Sequence, residues 1–506
     1  MNNMRKFFAM ILAIVMVMSL ATTAFADDGN GYTITINGTA GHTYEVYQIF
    51  TGDLSGNVLS NIVWGNGVSA AGQTALGTAA TVAEGITDAK AFAASIDQYL
   101  TNPQSMTANE TTYTLSGLEA GYYLIKDEDN TQDGESGTYT AYMLKVVKDV
   151  TATPKDSVPT VDKSVTKQDQ NADDFEIGDE VTFILKATLG DNLDEYKTYK
   201  VVFHDTMSEG LTYKEITSVT VDDETITSGY TAEHENGVLT VTIDDVIALG
   251  AEDGSDIVVT YTATLNEKAE IGQPGNPNEV YLEYSNDPNW DVNGDGQPDN
   301  PDEPNEPTGE TPKDTVVVFT FELDVTKIDG ATADAENPTK LQGAEFVLLN
   351  IDKTKVATVV DGKLTGWVDV PAEGEEWPEN TTLTSSEEGL FVIAGLDADT
   401  YYLRETKAPA SYNLLTDPIK VVITAQLNTA EDKGALEALT IAVNDGDATP
   451  GVVSTGIVTT TVKNNAGTTL PETGGMGTTL FYILGGVLVL AAVVILITKK
   501  RIANAK

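Results

Sequence analysis

From Tyr32 onward the chain alternates apolar and polar positions with a period of two. YTITI (Tyr32 to Ile36), TYEVYQI (Thr43 to Ile49), EVTFILKATL (Glu180 to Leu189), KVVFHDT (Lys200 to Thr206), VLTVTI (Val238 to Ile243) and IVVTYTATL (Ile257 to Leu265) predict half-buried strands, and so do FELDVTKID (Phe321 to Asp329), YYLRET (Tyr401 to Thr406) and VTTTVKN (Val458 to Asn464). Helical periodicity is rare. It predicts one helix over Asp88 to Leu100, with Phe92, Ile96 and Leu100 on one face, and a membrane-spanning helix over 479–497, 19 uncharged residues followed by Lys499, Lys500 and Arg501. A third apolar run, Phe7 to Leu20, follows Arg5 and Lys6 and precedes Ala24-Phe25-Ala26, which predicts a signal peptide over 1–26.

Breaks in the pattern divide the rest. Residues 27–156 form an N-terminal domain and 157–285 a middle domain, nearly all β. Residues 286–315 carry six of the chain's 18 prolines and nine acids, an acidic Pro-rich linker too poor in apolar groups to pack a core. A C-terminal domain over 316–465 and a tail over 466–506 complete the 506 residues. GLEAGYYLIKDE from Gly117 echoes GLDADTYYLRET from Gly395, so the first and last domains read as relatives, with Lys126 standing where the second copy has Glu405.

Charge excludes one large class of function. Of 29 basic residues, six lie in the two ends that processing would remove and none of the 77 acids does, leaving 23 basic against 77 acidic residues and a net charge of −54. Such a surface repels nucleic acid. Cysteine is absent although the chain reads as exported, so disulfides cannot brace it. His42, His204 and His234 are scattered without metal-ligand spacing and read as surface or satisfied core residues. No G-x-S-x-G, cysteine nucleophile or phosphate loop is present, and an enzyme acting on an external substrate is not expected.

The alternation also puts polar groups where apolar ones belong. Lys327 is in phase with Phe321, Leu323 and Val325, Glu405 with Leu403, and Asn464 with Val458 and Val462, whereas Asn465 is out of phase. In the middle domain Lys163 is in phase with Val161, Asp205 with Val201 and Phe203, and Asn278 with Val280 and Leu282; Lys167 is also in phase and competes with Lys163. A lysine, a carboxyl and an asparagine brought together in a dry core can react. Burial lowers the amine's pKa and raises the acid's, so a neutral amine can attack the amide carbon while the protonated acid shuttles protons and ammonia leaves. A Lys327–Asn464 bond would close a loop of 137 residues, worth roughly 4 to 5 kcal/mol in the chain-entropy account. Periodicity makes these positions compatible with one site; it does not assign them to it.

The assignment comes from resemblance. LPETGG (Leu470 to Gly475), the apolar span and the basic tail resemble, in that order, the sorting signal of Gram-positive surface proteins. It implies that a sortase cleaves between Thr473 and Gly474 within Leu470, Pro471, Glu472, Thr473 and Gly474, and passes the threonine carbonyl to an amine. YYLRETKAP followed by Tyr412 resembles the E-box of Gram-positive pilins, and VTKID and VKNNAGTTLPETGG resemble the lysine and asparagine strands of their collagen-binding-B-type (prealbumin-like) domains. The order Lys163, Asp205, Asn278 resembles the collagen-binding-A-type domain of backbone pilins. DVTATPKDSVP resembles the pilin motif with Lys155 as intermolecular acceptor, although alanine stands at its second valine position and Val146 at the upstream aromatic.

The resemblance implies tandem immunoglobulin-like β-sandwich domains and isopeptide bonds Lys327–Asn464 and Lys163–Asn278, promoted by Glu405 and Asp205. It also implies a structural major subunit of a covalently polymerised pilus on a Gram-positive cell wall. The partners implied are further copies of the chain, sortase and peptidoglycan, with tip or basal pilins and host proteins as further candidates. The rival reading is a monomeric wall-anchored adhesin that uses the same domains as a stalk. No cofactor is expected, apart from calcium at DVNGDGQPD (Asp291 to Asp299), where Asp291, Asn293, Asp295 and Asp299, with Asp302 beyond them in place of the final glutamate, have the spacing of a calcium loop; Pro298 and the lack of predicted flanking helices oppose it.

Overall fold

The computed structural model describes residues 31–107, 111–167, 169–289, 307–430, 434–467 and 477–503. The signal peptide at 1–26, the calcium-like loop and Leu470 to Gly474 lie outside the described residues. In the N-terminal region, Tyr32–Asn37 runs between Thr112–Leu118 and Val150–Ala152. It packs on a second sheet ordered Val58–Trp64, Thr43–Ser55, Gly121–Asp127, Ala141–Val146, with Gln104–Thr107 paired to Thr43–Ser55. Ile34, Ile36, Val46, Tyr113, Ile125 and Val146 fill the space between.

The helix expected over Asp88 to Leu100 is shorter. It spans Ala89–Ile96, opened by the Asp88 carboxylate accepting from the Lys90 and Ala91 N–H groups, and continues as a 3₁₀ turn over Asp97–Tyr99. Two further helices, Ala70–Leu76 and Ala79–Gly85, escaped the sequence reading because this Gly/Ala/Thr-rich stretch has too few large apolar residues to show a period. Packing sets the first: a Cβ on Gly72 would lie 2.4 Å from the Cβ of Tyr99, so only glycine lets the two segments meet.

The middle region is a two-sheet sandwich. Glu224–Thr225, Leu211–Val221, Asp256–Leu265, Glu180–Thr188 and Thr160–Val165 form one sheet in that order. The other is ordered Ala172–Asp174, Asp314–Phe319, Asn276–Ser285, Val201–Met207, Val238–Ile243, Thr231–Glu235, with Thr308–Glu310 also on Asn276–Ser285. Here the structure corrects the sequence boundaries. Residues 308–310 and 314–319, expected in the linker and the C-terminal domain, pair antiparallel with Asn276–Ser285, Val316 opposite Asn278 and Gly309 opposite Tyr284. The run VVVF explains the error. Val316 and Val318 point into the middle core while Val317 and Phe319 point into the C-terminal core, so one strand serves both domains and shows no alternation.

The C-terminal region folds as one continuous path of strands: Thr449–Pro450, Ala435–Val443, Ile419–Asn428, Thr400–Lys407, Glu345–Leu349, Lys355–Val360, Lys363–Asp369, Leu390–Leu396, Phe321–Asp329, Ile457–Asn464, with Leu383–Thr384 on Glu345–Leu349. Its first and last long strands, Phe321–Asp329 and Ile457–Asn464, run parallel side by side. The C-terminal helix, expected over 479–497, spans Gly477–Ala503 and contains an apolar stretch from Tyr482 to Lys500.

Middle and C-terminal regions meet through polar contacts as well as the shared strand. Asp174 Oδ2 accepts the Ala398 N–H at 2.6 Å, and Glu176 Oε1 accepts the Trp367 indole N–H at 2.6 Å. Glu176, Asp179, Asp397 and Asp399 line one cavity of about 320 Å³ with Lys355, Trp367 and Tyr401. Burial, reinforced by neighbouring carboxylates, pushes Glu176 up to about 8 and Asp397 up to about 6. An acid whose pKa is raised by docking holds its proton more tightly docked than apart, so the junction is most stable below the ordinary carboxylate range and weakens as pH rises toward 8. Small-angle scattering between pH 5 and pH 9 is expected to show the two regions loosening on the alkaline side, and Glu176→Gln to remove most of that dependence.

Candidate functional site

The C-terminal site follows from strand phase. Lys327, on the first long strand, is 0% exposed, Asn464 on the last 1%, and Glu405 on Thr400–Lys407 4%. Parallel pairing sets Asn464 opposite Asp329, two positions beyond Lys327, so both side chains project from one face of neighbouring strands. Lys327 Nζ contacts Asn464 Oδ1 and lies 2.9 Å from Glu405 Oε1. Both Glu405 oxygens accept the Asn464 amide, at 3.0 and 3.1 Å; that amide also donates to the Asn413 carbonyl, and Leu415 N–H donates to Glu405 at 2.8 Å. The Phe346 ring closes the floor, 4.9 Å from Lys327 Nζ. Desolvation by these walls holds the Lys327 amine below its ordinary pKa.

The middle site draws on both sheets. Lys163 comes from Thr160–Val165 in one, while Asp205 and Asn278 come from adjacent strands of the other, where Asn278 faces Met207 and Asp205 faces Val280. All three are buried, at 1%, 0% and 0% exposure. Lys163 Nζ contacts Asp205 Oδ2 beneath the Phe183 and Tyr261 rings. Burial pushes the lysine down and the aspartate up, so both favour their neutral forms. Lys167, the competing candidate, is exposed.

Tyr261 completes this site and was missed from sequence. Its hydroxyl donates to Asp205 Oδ1 at 2.7 Å, accepts from the Asn278 amide at 2.6 Å and lies 3.4 Å from Lys163 Nζ. The signal was present, since Tyr261 alternates in phase with Val259 and Ala263, but an aromatic on an inner face reads as core.

Lys155 is exposed, just beyond the end of Val150–Ala152, and its ammonium pairs with Asp194 at 3.0 Å and Glu195 at 2.9 Å from the middle region. Lys126, in the position corresponding to Glu405, bonds Asp97 and Asp129 at 2.8 Å each. The buried acid of the N-terminal region is instead its neighbour Asp127. Asp127 Oδ1 lies 2.6 Å from His42 Nδ1 and its other oxygen accepts from the Thr140 N–H and hydroxyl; both partners are nearly fully buried. His204 lies 3.0 Å from Glu283, and His234 stacks on Tyr213. Among the described residues no group of three or more His, Cys, Asp or Glu is arranged to hold a metal ion.

Comparison with known proteins places these sites in context. Residues 177–288 match the Gram-positive pilin backbone subunit 2, Cna-B-like domain, where the sequence had suggested the A type for the middle domain. Residues 323–434 match the SpaA prealbumin-like fold domain, and residues 462–504 the LPXTG cell wall anchor motif. The trypsin-resistant surface T6 protein of Streptococcus pyogenes serotype M6 is 23% identical over 97% of this chain and 98% of its own. Fimbrial subunit type 1 of Actinomyces viscosus is 31% identical over 34% of this chain and 30% of its own. In fold, the chain is similar to the solved structure of the T6 backbone pilin of S. pyogenes serotype M6, with a TM-score of 0.53 and 19% identity over 87% of this chain and all of that one.

Because Asp127 keeps its two Thr140 bonds when its histidine is removed, His42→Ala is expected to destabilise the N-terminal region by about 2 to 3 kcal/mol, less than loss of an otherwise unsatisfied partner. Urea unfolding followed by hydrogen exchange on Gly121–Asp127 measures it, with strands of the C-terminal region as the internal control.

Proposed function

Because this chain is a Gram-positive backbone pilin, a cell-wall-anchored pilus subunit by its domains and its anchor, we propose that it polymerises covalently through Lys155 and is braced inside by two isopeptide bonds. The observation that carries the bracing is that two successive domains each enclose one lysine, one acid and one asparagine in a dry pocket. It is a structural protein, and the chemistry it performs is on itself.

In the C-terminal site the neutral Lys327 amine attacks the Asn464 amide carbon. Glu405, which already holds the amide nitrogen with both oxygens, gives that nitrogen a proton as ammonia departs and takes one from the attacking amine. The new amide keeps the carbon of Asn464 and the nitrogen of Lys327, and one ammonia is lost. The middle site reaches the same balance through an extra hydroxyl. Asp205 takes the amine proton on one oxygen and gives a proton from the other to Tyr261, which, standing between Asp205 and the Asn278 amide, passes its hydroxyl proton to the leaving nitrogen and ends neutral.

Joining subunits is acyl transfer. A sortase thiol attacks Thr473, the bond to Gly474 breaks, and the Lys155 amine of another copy takes the threonyl group and releases the thiol. Lys155 meets the requirement of access, and Pro154 before it cannot donate to a strand ladder, which stops the preceding strand. Head-to-tail joining of this kind repeats without closing, the geometry of a fibre.

Intact-mass measurement of the folded soluble part is expected to fall short by two ammonia molecules. Glu405→Ala restores one and Asp205→Ala the other; a full unmodified mass in the native chain rules out the cross-links. Lys155→Arg is expected to fold and reach the wall as a monomer, since a guanidinium stays protonated and cannot attack. A high-mass ladder surviving in Lys155→Arg would assign the acceptor to another lysine, with the exposed Lys148 the first to test.

A further inference from the structure

The acceptor amine is held by the wrong domain. Lys155 belongs to the end of the N-terminal region, yet both carboxylates that pair with it come from the 3₁₀ turn Leu193–Glu195 of the middle region. That turn is itself fixed. Leu193 is buried, and the Leu193 and Asp194 N–H groups donate to Asp253 Oδ1 at 2.8 and 3.3 Å. Bonds between backbone and side chain tie the residues leading into this turn to the acceptor segment: the Asn192 side-chain amide donates to the Lys155 carbonyl and the Asp191 N–H to Ser157 Oγ. On the other side Asp156 points away from Lys155 and accepts the Thr39 N–H at 2.8 Å, so the segment is tied to both domains.

We propose that Asp194 and Glu195 are positioning residues that clamp the Lys155 ammonium in the crevice between the N-terminal and middle domains and restrain its attack until a docking partner displaces them. The proposal rests on the reading of Lys155 as the acceptor. Lys90, at the start of the Ala89–Ile96 helix, also reaches the backbone and carboxylate of Glu195, so the turn grips the N-terminal domain at two points. The hydrogen bond that Lys155 donates to Glu195, then the one it donates to Asp194, raises its pKa and keeps it protonated. A carboxylate is in general a far weaker base than an alkyl amine and does not deprotonate its ammonium. Asp194 and Glu195 therefore hold the amine rather than activate it. Both pairs are solvent-exposed, and exposed pairs contribute only about 0.2 to 1 kcal/mol each, so the clamp slows reaction and opens under a modest competing contact.

The test compares the full chain in detergent with its Asp194→Asn, Glu195→Gln variant, which keeps size and hydrogen bonding but removes both charges. Acylation by an N-hydroxysuccinimide ester, read by peptide mass spectrometry, needs no sortase and reports Lys155 against exposed Lys148. At a fixed pH below the lysine's own value, Lys155 is expected to react about two- to fivefold faster in the variant, with its pH profile moved down and Lys148 unchanged. Raising salt from low to high ionic strength is expected to speed Lys155 in the native chain and leave the variant flat, since exposed charge pairs are screened. Superimposable pH profiles, or equal salt response in the two chains, overturn the clamp. Sequencing the branch peptide of the native polymer separates the two readings: a branch at Lys155 with unmoved profiles sinks the clamp alone, whereas moved profiles with the branch elsewhere sink the acceptor assignment and leave the clamp standing.

Discussion

A lysine cannot remain charged and unpaired in a dry core, and much of this structure is arranged around that constraint. An isolated buried ammonium is costly enough that it either finds a carboxyl or gives up its proton. Lys327 and Lys163 do both at once: each touches an acid, and each is pushed by burial toward the neutral amine. The asparagines complete the arrangement by using the remaining lone pairs and protons, through Glu405 in one domain and through Tyr261 in the other. A chain of this net charge, without cysteine, has few other ways to staple a β-sandwich.

The two sites solve the same problem with different topology, and the difference has mechanical consequences for the proposed shaft. In the C-terminal domain Lys327 and Asn464 lie on neighbouring parallel strands at the beginning and end of the fold. A bond there would let tension pass directly from the entry strand to the segment leading to Thr473, leaving the residues between unloaded. In the middle domain the site bridges two sheets, and the strand that leaves the domain, Asp314–Phe319, is not the strand that carries Asn278.

Strand phase made the inward orientation of the six buried polar residues legible, Lys327, Glu405 and Asn464 in one domain and Lys163, Asp205 and Asn278 in the other, because a period of two assigns each residue to a face and an error of one position would have put it on the other. Lys163 over Lys167 was not decidable that way, as both share a phase; only burial separates them. Alternation names a face but never the neighbour across the core, and so it singled out neither Tyr261 nor the Asp194–Glu195 turn. His42 and Asp127, 85 residues apart, pair through a loop and a strand end that no local pattern connects. The double-faced strand Asp314–Phe319 was misplaced for the opposite reason: buried by two domains, it lost the alternation that would have marked it as strand.

That shared strand also decides where the subunit would yield. Pulled from Lys155 to Thr473, the middle domain is loaded along Thr160–Val165, across the Lys163–Asn278 site, and out through Asp314–Phe319, which holds to Asn276–Ser285 by ladder hydrogen bonds rather than by a covalent bridge. The same strand contributes Val316 and Val318 to one core and Val317 and Phe319 to the other, so extracting it would open both domains at once. Hydrogen bonds loaded in shear along a strand break together rather than one by one, and four buried side chains resist with them. The stretch between the two proposed cross-links is therefore secured by burial on both faces, which accounts physically for an uninterrupted apolar run at a domain boundary.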